Sequence, residues 1–468
     1  MTLDDAASRH VAETRPQRLG ASRRSCLSPT RRHPRVVLCA LVTCLSLFGC
    51  MQQDRFDAAS RRASVDALWS AFERGYVYFE LRQQNSTYRK TAHELMTKAT
   101  TRREYIEALA VVLGSLNDPH VEFTNLDAYW KRTTGKELRA AFQHLVLFGG
   151  YYWVGLSQDS IVLVEASPPL PAQWLYQLIS VCGIPASPLA CQMLMAEPGE
   201  RVRIVLLRMD GKEHVVDVRV PATATQPSVF RPSATAPTTP STQSAGEVRT
   251  ARYDDVGYIA IDSLDSDGIN DEFDKALNAM TDTKALILDL RTNHGGTVGG
   301  IQDVLSRFVS KAAPSGSFQV RERGLMLGGE FPIWRSLPAL VKPGGNTYYK
   351  PLVVLIDSAT GSAGEILAIA LQDLCQATLV GHRSIGAGAG QQEVTLPDGL
   401  TVQYSALPFR RLDNRTYQCV GVAPDVEIPL DRAKICREGM KAVQFYYWDQ
   451  LVKAREIAEA KAKLWQDE

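Results

Sequence analysis

The sequence predicts an α/β protein in which a helical region and a β-rich region precede a layered sheet. Three observations predict this: a globular composition, helical periodicity before residue 115, and alternating strands and helices after residue 248. The chain has 468 residues, of which 45% are hydrophobic and 22% charged, as in ordinary globular proteins. Its length predicts several domains. A net charge of +1 gives no electrostatic basis for binding nucleic acid.

An export signal is predicted at the N-terminus, over residues 1–49. Arginines at 31, 32 and 35 precede an apolar run over 36–48, which is shorter than the roughly 20 residues of a spanning helix. The ending Leu-Phe-Gly-Cys50 resembles the bacterial lipobox, which implies a lipid on Cys50 and a place in the cell envelope. Met51 is not the aspartate of inner-membrane retention, so this resemblance favours the outer membrane. A plain signal peptide and an uncleaved anchor are the alternatives.

Cysteine usage agrees with export. Five cysteines remain after the signal and Cys50, and this odd number leaves at least one unpaired within a monomer. They are Cys182, Cys191, Cys375, Cys419 and Cys436. No Cys/His cluster has zinc spacing, so the sequence predicts no metal site.

Residues 50–135 are predicted to form a helical domain. Apolar side chains recur at three- and four-residue spacing through Leu68, Phe72 and Tyr76, which indicates one buried face. Thr101 and Glu104 have the spacing of a capping box, which predicts the start of a second helix.

The next regions are predicted from their composition. Residues 140–220 contain short β runs and resemble the second half of a PDZ domain, with an unrelated β insert as the alternative. The Pro/Ser/Thr-rich tract 221–247 is too polar for a core and is predicted to be a linker. Alternating strands and helices predict an α/β domain over 248–432, and 433–468 is predicted to be a terminal helix.

Three motifs of the α/β domain carry candidate chemistry. Asp289-Leu-Arg-Thr-Asn-His-Gly-Gly296 follows a buried strand, where paired glycines allow the backbone to approach a ligand. Ser362-Ala-Gly-Glu-Ile begins a helix, where N–H groups and the helix dipole favour a developing oxyanion. The third motif is Gly421-Val-Ala-Pro-Asp425. Taken alone, Ser362 is more often a helix cap than a nucleophile.

Together with Leu116-Asn-Asp-Pro-His120, these motifs resemble the C-terminal-processing and tricorn-type serine peptidases in order and spacing. The resemblance covers residues 55–430. It implies a catalytic domain with the β-α superhelix of the ClpP/crotonase type, an N-terminal helical cap and a PDZ-like module.

The resemblance also implies roles for individual residues. Ser362 becomes the nucleophile, and the amides of Ala363 and of Gly296 or Gly295 become the oxyanion hole. Ser/Lys members of the family carry their lysine in a Gly-Lys-Gly loop, which here reads Gly-Ala-Gly over 386–388. The base implied is therefore His120, as in tricorn-type members.

Two further departures concern the surroundings of that histidine. Gln418 stands where tricorn-type members have a glutamate, and Pro119 stands where they have a serine. Gln418 can orient a ring nitrogen as an acceptor, but it cannot stabilise an imidazolium by charge. Asp118 or Glu122 could supply that charge.

The sequence therefore predicts an exported, lipid-anchored serine endopeptidase that needs no cofactor. Its partner is a polypeptide substrate, which the PDZ-like module would bind through an extended chain or a C-terminus. One alternative is an inactive peptide-binding lipoprotein on the same scaffold. Another is a crotonase-like enzyme acting on a thioester, which the export signal disfavours. The sequence does not give the oligomeric state.

Overall fold

The computed structural model describes most of the chain after residue 55. The described residues are 56–77, 90, 93–96, 98–114, 116, 118, 120–140, 144–148, 151–157, 160–164, 176–181, 184–185, 195–208, 212–220, 248–265, 268–326, 329–345, 347–431, 434–435, 438 and 440–466. The predicted signal with Cys50, the linker 221–247 and Pro119 lie outside them, as do Cys182, Cys191 and Cys436.

The N-terminal region is helical, as the apolar spacing predicts. Its elements are α1 (Ala58–Gly75), α2 (Arg102–Gly114), β1 (Glu122–Phe123) and α3 (Leu126–Thr134). The predicted capping box is confirmed: the Glu104 N–H donates to Thr101 Oγ1 at 3.2 Å, and the Thr101 N–H donates to the Glu104 carboxylate at 3.3 Å. These reciprocal bonds start α2 because they satisfy two amides at its first turn.

The region 139–219 contains short β-strands. They are β2 (Arg139–Ala140), β3 (His144–Phe148), β4 (Tyr151–Ser157), β5 (Ser160–Val164), β6 (Tyr176–Val181), β7 (Ile184–Pro185), β8 (Met195–Ala196), β9 (Arg201–Arg208) and β10 (Glu213–Arg219). They form a three-stranded sheet in the order β3-β4-β5, a four-stranded sheet in the order β10-β9-β6-β7, and the pair β2-β8. The short β runs predicted over 140–220 are confirmed where the structure describes them.

The rest of the chain alternates strands and helices. Its elements are β11 (Val248–Tyr253), β12 (Val256–Ile261), α4 (Ile269–Asn278), β13 (Ala285–Asp289), α5 (Val298–Leu305), β14 (Ala313–Met326), β15 (Gly329–Val341), β16 (Leu352–Ile356), α6 (Ala363–Cys375), β17 (Thr378–Gly381), β18 (Ala389–Thr395), β19 (Thr401–Arg410), β20 (Val426–Glu427) and α7 (Met440–Gln466). The alternation of strands and helices predicted over 248–432 is confirmed, and so is a C-terminal helix, α7.

A six-stranded sheet in the order β11-β12-β13-β16-β17-β20 forms the centre of this part, and from β12 to β20 its strands are parallel. Strands β12, β13 and β16 are buried throughout because both faces of the sheet are covered there. Helices α4, α5 and α6 pack on one face, and α7 packs on the other. Because β13 and β16 are parallel neighbours, the loops after them meet at one edge of the sheet.

A second sheet connects the N-terminal helices to the α/β part of the chain. Strand β19 pairs with β18, β14 and β1. Side chains of β19, among them Val402 and Tyr404, are buried in one cluster with those of α1 and α2, and the rings of Phe72 and Tyr404 lie 5.3 Å apart. The hairpins β14-β15 and β18-β19 were not predicted. No helix within the described ranges combines the length and apolar character needed to span a membrane.

Candidate active site

Ser362 lies in the sharp turn between β16 and α6. Its φ is 49°, a left-handed conformation that costs a residue other than glycine about 1–3 kcal/mol. The neighbouring loop holds the turn in place, because the Gly361 N–H donates to the backbone oxygen of Asn293 at 2.9 Å. The side chain of Ser362 remains partly exposed. A strained, partly exposed serine at the start of a helix is well placed for nucleophilic attack.

The loop after β13 brings two glycines against this turn. Gly295 and Gly296 have φ values of 112° and 141°. A Cβ on Gly295 would lie 2.7 Å from Cβ of Ser362, and a Cβ on Gly296 would lie 2.3 Å from the carbonyl carbon of Leu264. Both positions therefore need glycine, for backbone conformation and for space.

The amides of this turn divide into occupied and available donors. The Gly295 N–H donates to the side-chain oxygen of Asn293 at 2.8 Å. Among the described residues, the N–H groups of Gly296 and Ala363 have no acceptor. Of the two glycines predicted as alternatives, only Gly296 therefore has an amide that could join Ala363 in stabilising an oxyanion.

Glu365 joins the serine turn to the Gly-Ala-Gly loop. Its carboxylate accepts the N–H groups of Ser362 at 3.2 Å, Gly386 at 2.8 Å and Ala387 at 2.8 Å, and the hydroxyl of Ser384. Glu365 is fully buried. Burial raises the pKa of Glu365 to about 7, although the hydrogen bonds that it accepts act in the opposite direction. Four donors to two oxygens suit the ionised carboxylate.

His120 is held in the catalytic part by β1, which follows it and pairs with β19. Its ring is buried, and Nδ1 lies 3.4 Å from Oγ of Ser405. Burial lowers the pKa of His120 to about 4. The imidazole is therefore neutral at pH 7, the form in which a histidine can accept a proton.

A buried polar cluster surrounds Nδ1. Oδ1 of Asp118 accepts the backbone N–H of His120 at 3.0 Å, the Ser405 hydroxyl at 3.0 Å and the Gln418 side-chain amide at 3.2 Å. The amide nitrogen of Gln418 also lies 3.2 Å from Ser405 Oγ. The ring's partner is thus Ser405, not Gln418 as predicted, because the Gln418 amide is directed at Asp118.

Ser405 is the residue that the sequence did not reveal. It is a fully buried serine inside the apolar strand β19. Its hydroxyl proton goes to Asp118, so the oxygen faces the ring as an acceptor. This favours the tautomer of His120 with its proton on Nδ1 and leaves Nε2 as the basic nitrogen.

The turn that carries Ser362 and the cluster around His120 are linked through the loops that contain Gly386 and Gln418. Glu365 holds Gly386, the Cys419 N–H donates to the backbone oxygen of Gly386, and Gln418 contacts the His120 cluster. Between the described residues Ser362 and His120 there is no hydrogen bond. In the part of the chain that the structure describes, no group of three or more His, Cys, Asp or Glu side chains could hold a metal ion.

Comparison with known proteins relates this sequence to a family of peptidases. Residues 255–428 match the model described as Peptidase family S41. The carboxy-terminal processing protease CtpB of Bacillus subtilis (strain 168) is 25% identical over 353 residues, which is 73% of this chain and 66% of that protein. The carboxyl-terminal-processing protease of Picosynechococcus sp. is 26% identical over 412 residues, which is 85% of this chain and 91% of that protein.

A solved structure shows the same fold. The crystal structure of mature CPAF covers 83% of this chain and 96% of its own, with a TM-score of 0.54 and 17% identity. The matched residues 255–428 contain the Ser362 turn and the Gly295-Gly296 loop, while His120 lies outside the match. Residues 255–428 thus belong to peptidase family S41, a family of serine-type peptidases, and the chain as a whole is similar to C-terminal-processing proteases.

Proposed function

We propose that the protein is a serine endopeptidase in which Ser362 is the nucleophile and His120 the general base. The observation that carries this proposal is the pair of available amides, Gly296 and Ala363, beside a strained and partly exposed serine. Two N–H donors, one in the serine turn and one in the glycine loop packed against it, can match the charge that develops on a peptide oxygen during attack. A helix-capping serine would not need this second loop.

The proposed reaction proceeds through an acyl-enzyme. Nε2 of His120 takes the hydroxyl proton of Ser362 as Oγ bonds to the peptide carbon, and the oxyanion lies between the two amides. The protonated imidazole then gives its proton to the leaving amine as the C–N bond breaks. Water, deprotonated by the same nitrogen, attacks the ester and frees the acid and the serine.

Asp118 takes the part of the missing glutamate in this proposal. The Ser405 hydroxyl lies between its carboxylate and Nδ1 of His120. When the ring becomes charged, the carboxylate polarises the hydroxyl, whose oxygen accepts the Nδ1 proton more strongly. The uncharged Gln418 then serves only to orient Asp118 and Ser405.

The cellular setting and substrate belong to the same proposal. The predicted lipobox at Cys50 supports an exported protein anchored by lipid in the cell envelope. The β-α superhelix would carry the chemistry beneath an N-terminal helical cap. The names of the two bacterial relatives support a polypeptide substrate recognised at its C-terminus, with the β-rich region 140–220 as the PDZ-like module that binds it.

Labelling of the purified protein with a fluorophosphonate tests this function. We expect one adduct, located on Ser362 by peptide mass analysis, and no adduct in Ser362→Ala. His120→Ala should slow labelling by at least about a hundredfold, in the range that general-base catalysis supplies. The matched control is His294→Ala, because His294 is exposed and lies in the glycine loop beside Ser362. Equal loss in both histidine variants would refute the role of His120.

An inactive peptide-binding lipoprotein is the second candidate. It is favoured by the lack of a hydrogen bond between the described residues Ser362 and His120, and by Ala387 in place of the family's lysine. This candidate predicts no adduct on the folded wild type from pH 6 to 10. It also predicts that a peptide ligand binds equally to wild type and Ser362→Ala.

A further inference from the structure

Helix α7 reaches from the far face of the central sheet to the edge that carries the active site. Leu451, Ala454, Ala458 and Ala462 are buried against the sheet strands. The three alanines recur every four residues, so the helix can lie close to the sheet. One turn before Leu451, Tyr447 lies at the carboxyl ends of β13 and β16.

Tyr447 contacts a carboxylate that joins both catalytic loops. Its hydroxyl donates to Oδ2 of Asp357. The other oxygen of Asp357 accepts the N–H groups of Thr292 at 3.2 Å, Ala359 at 2.9 Å and Thr360 at 3.1 Å. Thr292 belongs to the loop that carries Gly296, and the other two residues belong to the turn that carries Ser362. One buried carboxylate therefore fixes the two loops relative to each other.

Arg291 makes a second connection between α7 and the same edge. Its guanidinium is fully buried and pairs with Asp289 at 2.5 Å. It donates to the backbone oxygen of Tyr447 at 2.6 Å and to the side-chain oxygen of Gln450 at 3.0 Å. Burial opposes its charge, but the Asp289 carboxylate holds the pKa of Arg291 above its ordinary value. Helix α7 is thus bound to the glycine loop through backbone as well as side chain.

We propose that Tyr447 is a positioning residue, through which the C-terminal helix sets the distance between the oxyanion amides and the nucleophile. The proposal rests on the proposed function for its catalytic consequence. Its structural basis is independent of that function, because the Tyr447–Asp357 contact orders both loops whether or not they catalyse a reaction.

The test compares Tyr447→Phe with Tyr446→Phe in the full chain. Both changes remove one hydroxyl from the same turn of α7, but the hydroxyl of Tyr446 donates to the backbone oxygen of Ile428 at 3.4 Å and not to Asp357. We expect Tyr447→Phe to slow fluorophosphonate labelling of Ser362 by about tenfold or more, the effect of one hydrogen bond to a charged group. Tyr446→Phe should remain within about twofold of wild type.

Amide hydrogen exchange gives the readout that does not depend on catalysis. Peptides covering 290–297 and 357–363 should exchange faster in Tyr447→Phe and at the wild-type rate in Tyr446→Phe. Asp357→Asn keeps an oxygen for the three amides and serves as a second variant if Tyr447→Phe does not fold. Its effect should not add to that of Tyr447→Phe, since both remove the hydrogen bond from the Tyr447 hydroxyl to a charged oxygen.

The outcomes separate this inference from the proposed function. If the wild type forms no adduct, the peptidase proposal fails, and the exchange data still decide the role of Tyr447. Unchanged exchange in both loops of Tyr447→Phe overturns the inference. So does labelling of this variant at the rate of Tyr446→Phe.

Discussion

Replacing Gln418 by glutamate tests how the buried cluster around His120 carries charge. Tricorn-type peptidases have a glutamate at the matching position, so this change restores the residue type found in those relatives. In this protein, however, the Gln418 amide donates to Oδ1 of Asp118 at 3.2 Å. Both side chains are buried. The variant would place a second carboxylate against the first, so we expect a loss and not a gain.

The size of the loss follows from that distance. Two unit charges at the 3.2 Å separation repel by about 5 kcal/mol at an effective dielectric constant of about 20, which raises the pKa of one carboxyl of the pair by about 3–4 units. In the unfolded chain a glutamate has a pKa of about 4.3. Because the folded-state pKa is the higher one, Gln418→Glu should match the wild type near pH 4–5 and lose stability as the pH rises. The loss is about 1.4 kcal/mol per pH unit, or about 3–4 kcal/mol at pH 7.

Urea unfolding at pH 5 and pH 7 measures this loss. Gln392→Glu is the matched control, because Gln392 is an exposed glutamine on the neighbouring strand β18. The double variant Asp118→Asn with Gln418→Glu has one carboxylate again, and it should lose the pH dependence of the single variant. Fluorophosphonate labelling of Gln418→Glu at pH 7 should be slower than that of the wild type. If Gln418→Glu is as stable as the wild type at pH 7, or is labelled faster, the argument from Asp118 is wrong.

Three further predictions concern the same site. Glu365 has a pKa raised to about 7 and His120 one lowered to about 4. The labelling rate should therefore decrease as the pH is lowered through about 7, and Glu365→Gln should move this decrease toward pH 4. An unmoved pH profile would contradict the role of Glu365. Ser405→Ala should slow labelling by about tenfold to a hundredfold and destabilise the fold by about 1–3 kcal/mol in urea unfolding, whereas an unchanged labelling rate would exclude the relay to His120. Gly296→Ala should abolish labelling and lower the thermal midpoint, because its Cβ would lie 2.3 Å from backbone; Gly299→Ala, with its nearest atom at 3.5 Å, should do neither, and equal behaviour would refute the steric argument.

Much of the fold could be predicted because its strands are apolar on both faces. The runs at Val256–Ile261 and Leu352–Ile356 are buried throughout, and a continuous apolar run between turn residues predicts such a strand. The hairpins β14-β15 and β18-β19 lack this signal, since many of their side chains remain exposed. Each of these strands pairs with the next strand along the chain, but without a regular apolar pattern the periodicity does not reveal it.

The candidate site likewise contains residues that the sequence could predict and residues that it could not. Ser362 and Gly296 lie in local motifs whose residue types follow from backbone conformation and helix geometry. Ser405 and Tyr447 have no local motif: each contributes a single hydroxyl, and its importance comes from the element that faces it. A serine within an apolar strand or a tyrosine on a helix fits many environments, so the sequence alone could not assign them.

The placement of His120 shows why sequence domains and structural units differ here. His120 precedes the match to the peptidase family by more than a hundred residues, yet its ring contacts Ser405 on β19. Strand β1 begins two residues after His120 and pairs with β19. The face of β19 opposite Ser405 is buried against α1 and α2. The helical region therefore contributes to the fold around the proposed base. It completes the sheet on which the proposed base lies, and a catalytic domain defined by residues 248–432 would lack both the base and the apolar partner of β19.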